Sequence, residues 1–158
     1  CMLVRRQVFE KIGLFDAAVR MRIGVAIQEA LVNAMIHGNL EIASDVRLVS
    51  PAQHIAMAEQ RRHQVPYRGR QVHLLTHETR SSATYIVRDS GPGFDPDQVP
   101  DCTDPANLDR PCGRGLLLIR SFMDEVRFNE KGNEVTMVIH RKQTDGTGLA
   151  AAGDGQSA

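Results

Sequence analysis

The chain has 158 residues, with 19 Lys plus Arg balancing 19 Asp plus Glu, so its formal net charge is zero. A domain of that length buries roughly two-thirds of its unfolded surface, and the lack of a basic excess argues against nucleic acid as its partner. No apolar run approaches about 18 residues and no signal peptide opens the sequence, so a soluble, cytoplasmic protein with no membrane partner is expected.

The cysteines, Cys1, Cys102 and Cys112, are odd in number and have no CxxC spacing. Reduced thiols are expected, not a disulfide framework or a zinc site. Cys1 ahead of Met2 leads us to expect further chain upstream.

From Leu3 to about Gly13, Val4, Val8 and Ile12 recur at helical spacing and Gly13 is the expected stop. Asp16 suits the N-cap of a second helix. In it Ile23, Ile27, Ala30, Leu31 and Ala34 recur at three- and four-residue steps, and Gly38 stands where a left-handed cap would end it. Val25, Val32 and Ile36 make the remaining sides apolar, which predicts a helix buried nearly all round. Glu29, Asn33 and His37 lie four apart and form one polar stripe along it. An amide buried without a partner costs about 1–3 kcal/mol and an ion more. The stripe is therefore expected to face a cleft holding a ligand or a metal, the alternative being a solvated helix face.

After Asn39, about thirty residues give mixed signals. Ser50-Pro51 with Gln53 has the order of a capped helix start. Arg61-Arg62-His63 puts positive charge at that helix's carbonyl end, as a solvated terminus or a phosphate contact. Gln71–His77 and Ala83–Arg88 read as strands of a hairpin turning through Glu78–Ser82. The second strand runs into Asp89-Ser-Gly91-Pro-Gly93. Residues 95–112 are rich in Pro and Asp without periodicity, as expected of a long functional or disordered loop. Gly113-Arg-Gly115 then opens an apolar helix. Glu125–Asn129 and Glu134–Arg141 form a last hairpin across Lys131-Gly132-Asn133. Residues 143–158 lack large apolar side chains and are expected to be a disordered tail.

Asp89 at a strand end can accept from an exocyclic amine, with Gly91 and Gly93 permitting close approach of a ligand. The same triplet is also ordinary turn chemistry. Gly113 and Gly115 at a helix start suit an anion on bare N–H groups, or simply a tight turn. No lysine with Ser or Thr follows, so the turn is not a P-loop, and the spacing is wrong for a dinucleotide fingerprint.

In order, Glu29-x-x-x-Asn33 on a helix, Asp89-x-Gly91-x-Gly93 after a strand, a loop, and Gly113-x-Gly115-Leu opening a helix resemble the GHKL (Bergerat-fold) ATP-binding superfamily. Glu29-Ala-Leu-Val-Asn33-Ala-Met-Ile-His37-Gly38 and the run from Gly113 to Val126 are most similar to the anti-sigma-factor serine kinases. The resemblance covers about Gly13 to Lys142. It implies one ATP-binding domain over 1–142, shortened at its N-terminus, built as an α/β (α+β) two-layer sandwich: a mixed, mostly antiparallel sheet with helices on one face.

The resemblance also implies roles. Asn33 would ligate Mg²⁺, Glu29 would act as general base, and Asp89 would read the adenine amine beside Gly91 and Gly93. Gly113 and Gly115 would contact phosphates, and Thr136 would hold a water beside Asp89. His37 joins the nucleotide-binding set. Residues 95–112 would be an ATP lid, with Arg110 and Arg114 as candidate γ-phosphate contacts. The partners implied are ATP, a small anti-sigma antagonist, a sigma factor, and a second copy as an option. Two departures stand out: the strand before the first helix is missing or altered, and the segment after Asn39 is long.

Three functions compete: a serine/threonine kinase of the anti-sigma type, a histidine kinase ATP-binding domain, and a nucleotide-binding module without catalysis. Glu29 favours the first over the second, because histidine kinases usually have Asn there. Intact Glu29 and Asn33 weigh against the third.

Overall fold

Residues 15–43, 50–99 and 114–141 are described by the computed structural model. The helix expected over Leu3–Gly13, most of the 95–112 loop and the 143–158 tail lie outside them.

Four strands form one sheet, β1 (His73–Glu78), β2 (Ser82–Arg88), β3 (Glu125–Phe128) and β4 (Glu134–His140), in the order β1-β2-β4-β3. All three pairings are antiparallel, with Tyr85 opposite Thr76 and Met137, and Val126 also opposite Met137. No parallel pair occurs among the described residues. The period-2 alternation of the sequence sets the faces. Ala83, Tyr85 and Val87 on β2 and Val135, Met137 and Ile139 on β4 are buried on one side, and intervening residues such as Thr84 and Thr136 face the other. Helix α1 (Ala17–Val32) and helix α3 (Arg114–Phe122) cover the buried side with Ile23, Ala26, Ile27, Ala30 and Ile119. The expected two-layer sandwich with helices on one face is the fold. Each of the three isoleucines contributes about 1.5–3 kcal/mol by leaving water.

The start signals act as written. Asp16 Oδ1 accepts from Val19 N–H at 2.8 Å. Ser50 and Gln53 form a reciprocal capping box on helix α2 (Pro51–Arg61), with distances of 2.8 and 3.3 Å. β1 begins two residues later than expected, because Gln71 exchanges hydrogen bonds with the Ser90 hydroxyl. Gly132 makes the last hairpin turn with φ +72°.

Two expectations about the central helix are corrected. It is not buried all round: Met21 is 72% and Val32 40% exposed, because only one stripe of α1 meets the sheet and α3. Nor does Gly38 end it in a left-handed cap. The chain widens after Val32 into a π-helical turn over Asn33–Asn39, with Leu40 N–H donating to Met35 O at 3.0 Å. The left-handed residue is Glu41, with φ +52°, a conformation costing on the order of 1–3 kcal/mol outside glycine.

Candidate functional site

A cavity of about 610 Å³ opens between α1 with its π turn, the end of β2 and the β3–β4 hairpin, within the roughly 300–1,000 Å³ typical of small-molecule sites. Ala30, Ala34, Val87, Ile119 and Val135 give it an apolar floor, and Phe94 and Phe128 meet edge-on at 5.4 Å along its wall. Asn33, His37, Asp89 and Asn133 bring polar groups to it.

Asp89 continues the buried face of β2 past the strand end. Its N–H donates to Asn133 O at 3.0 Å, and its O accepts from Asn133 Nδ2 at 3.0 Å, so the backbone is pinned from the β4 side. Gly91 N–H donates to Asp89 Oδ1 at 2.7 Å. A carboxylate has about four acceptor positions, so capacity remains for a ligand amine. Burial raises the Asp89 pKa, while the Gly91 N–H, Lys131 and Arg70 pull it down. A carboxylate set in an apolar wall and held by one local donor can read a single N–H group.

The glycines are where they are because other atoms fill the space a side chain needs. A β-carbon on Gly38 would fall on the Asp89 carboxylate, and one on Gly91 would fall on Gly38 O. Gly38 therefore serves the approach of Asp89 to the π turn. Gly93, at φ +83°, passes against Lys131 O. At the other end of the cavity, a β-carbon on Gly115 would stand 2.8 Å from Glu29 Oε2 and 3.4 Å from Asn33 Nδ2. The first turn of α3 is thus in touch with the Glu29–Asn33 stripe, whose side chains are half-buried.

Asn33, His37, Asp89 and Gly93 line the cavity together. Glu29 and Gly115 adjoin Asn33 at its edge, and Gly91 backs Asp89. His37 Nδ1 lies 2.5 Å from Ile42 O, which orients the ring from the main chain. Arg114 is the exposed first residue of α3. Arg110 and Gly113 lie outside the described residues. Thr136 does not stand beside Asp89: it alternates with buried Val135 and Met137, so it points to the far side of the sheet. The residue beside Asp89 is Asn133.

Asn133 and Asn39 are the neighbours of the Asp89 turn that sequence reasoning missed. Asn129 and Asn133 bond reciprocally at 2.9 and 3.0 Å and brace the hairpin under Asp89. Asn39 is buried, and its Oδ1 accepts from Ser90 N–H at 2.8 Å. A polar residue directly after the Glu29–Asn33–His37 stripe was the available signal.

A helix pair over an antiparallel sheet, a strand-end carboxylate in an apolar wall and a glycine-opened helix against a Glu–Asn stripe are the features that the GHKL resemblance implies. The family model described as histidine kinase-like ATPase domain matches residues 2–139. The chain belongs to that family, and ATP is the ligand of such a domain. No curated protein matches the chain. Among the described residues, no helix is long and apolar enough to cross a membrane.

Proposed function

We propose that the chain is a serine/threonine protein kinase of the anti-sigma-factor type, phosphorylating a small antagonist protein and also engaging a sigma factor. The observation that carries this reading is the Glu29 carboxylate, one turn before Asn33 and 2.8 Å from the β-carbon position of Gly115. Asp89 reads the adenine amine, and the N–H groups opening α3 face the phosphates. Asn33 would offer one amide oxygen to Mg²⁺, a cation that takes few protein oxygens beside phosphate and water and that would neutralise phosphate charge there. Glu29 accepts the proton of the attacking serine hydroxyl as that oxygen bonds to the γ-phosphorus. The bond from phosphorus to the bridging oxygen breaks, and ADP leaves with the electron pair. Base assistance of this kind is typically worth 10²–10⁴-fold.

The test is incubation of the full chain with γ-labelled Mg-ATP and the proteins encoded beside it. Acid-stable phosphoserine on a small partner is the expected product. Acid-labile label would point to histidine transfer. Nucleotide bound with no label transferred would leave a binding module.

A further inference from the structure

The segment after Asn39 lends Glu41, Ile42 and Ala43 to the cavity wall and ends in a clamp on the turn that holds Asp89. Arg70 Nη1 donates to Asn39 O at 2.8 Å and pairs with Glu41 Oε1 at 2.7 Å. Arg61 Nη1 donates to Leu40 O and Glu41 O at 2.7 and 2.8 Å. The Tyr67 ring has both guanidinium groups near it, at 5.5 Å for Arg61 and 5.1 Å for Arg70. The clamp therefore grips 39–41, the stretch containing left-handed Glu41. From there one bond leads to the base pocket, since Asn39 Oδ1 receives Ser90 N–H. Next along the chain from Arg70, Gln71 exchanges two hydrogen bonds with the Ser90 hydroxyl.

We propose that Arg70 is a positioning residue for base recognition: through Asn39, Glu41 and Ser90 it fixes where the Asp89 carboxylate stands, and so sets the preference for adenine over guanine. Arg70 is well shielded, with 17% of its side chain exposed, as a residue acting on the interior requires. Its charge also helps hold Asp89 ionised. A planar guanidinium that stacks on an aromatic ring while bonding a carbonyl and a carboxylate is poorly replaced by lysine. A guanine presents a carbonyl where adenine presents its amine, so a well-placed carboxylate rejects it and a loosened one does not.

The inference rests on Asp89 as the adenine reader, so Asp89→Asn is measured alongside. ATP, GTP and inorganic tripolyphosphate are titrated against the full chain. Arg70→Ala is expected to weaken ATP roughly tenfold, the scale of one lost hydrogen bond to a charged group, while GTP and tripolyphosphate hold. The ATP:GTP ratio therefore contracts. A lower melting temperature with the parental ratio would make Arg70 a brace only and overturn the proposal. If Arg70→Ala does not fold, Arg70→Lys is expected to give an intermediate ratio and faster hydrogen exchange at the Ser90 amide. The parental ratio in the lysine variant would overturn the proposal. If Asp89→Asn collapses the ratio and the Arg70 variants do not, the positioning role alone fails. If Asp89→Asn keeps the ratio, the base assignment fails and the positioning role falls with it.

Discussion

Glu29 and Gly115, 86 positions apart in sequence, are so close that a β-carbon on Gly115 would stand 2.8 Å from Glu29 Oε2. The atom met is the far end of a flexible side chain, so a methyl group there displaces the carboxylate, not the backbone. Alanine also favours the helix by about 1 kcal/mol over glycine. Gly115→Ala is thus expected to melt within a few degrees of the parent and yet transfer phosphate roughly a hundredfold more slowly, as a displaced base would. Melting curves with single-turnover transfer assays check this. A parental transfer rate would mean that the close approach does not hold the base.

Asp89 gives a pH signature of definite sign. Burial raises its folded pKa above the unfolded value, so the folded state holds that proton more tightly. Nucleotide-free stability from this group is greatest below the unfolded pKa, declines as pH rises through the folded pKa, and stays at its lower level above it. Nucleotide affinity runs the other way, because the amine needs an ionised acceptor, and falls as pH drops through the raised pKa. Asp89→Asn should melt higher than the parent at neutral pH without nucleotide, bind ATP more weakly, and lose that acid limb. Calorimetric titrations across pH for both proteins separate it from phosphate protonation, which the variant retains. An unchanged acid limb in the variant would remove Asp89 from the site.

Tyr85 is fully buried, and its hydroxyl has no hydrogen-bond partner among the described residues. Burial and the nearby Glu78 push its pKa up to about 12, with Arg141 pulling the other way. An unpaired buried polar group costs about 1–3 kcal/mol, so Tyr85→Phe should hold or raise stability, at roughly 2–4 °C per kcal/mol for a domain of this size. Thermal unfolding measures it. A fall of several degrees would reveal a bond, through water or otherwise, that the hydroxyl makes in solution.

Local signals survived into the structure where the physics is local. Ser50 and Gln53 cap α2 because both partners lie within one turn, and Ala83-x-Tyr85-x-Val87 forms a strand because alternation alone sorts its side chains. The Glu29–Asn33 stripe was legible for the same reason. The π turn over Asn33–Asn39 was not, since what the wide turn accommodates is a contact with Asp89, some fifty residues later. Gly38 looked like a helix stop for that reason. Thr136 could have been excluded from the strand itself, as Val135 and Met137 on either side take the core face. The Arg70 clamp joins side chains and carbonyls across 31 residues, a pairing that no periodicity encodes.

Two residues one helical turn apart, Glu29 and Asn33, separate a kinase from a passive binder. Glu29 adjoins the cavity without lining it, whereas Asn33 lines it directly. Removing the Glu29 side chain therefore takes away the proposed base while leaving the cavity lining, Asn33 and Asp89 included, in place. Glu29→Ala is expected to bind ATP within a few-fold of the parent and to lose transfer by the roughly 10²–10⁴-fold that a positioned base supplies. Asn33→Ala removes the amide that Mg²⁺ would use, so it should lose the magnesium-dependent part of ATP affinity as well as transfer. Calorimetry with and without magnesium, paired with a transfer assay, distinguishes the two losses. If Glu29→Ala transferred phosphate at the parental rate, Glu29 would be a structural residue of α1 and the chain a nucleotide-binding module.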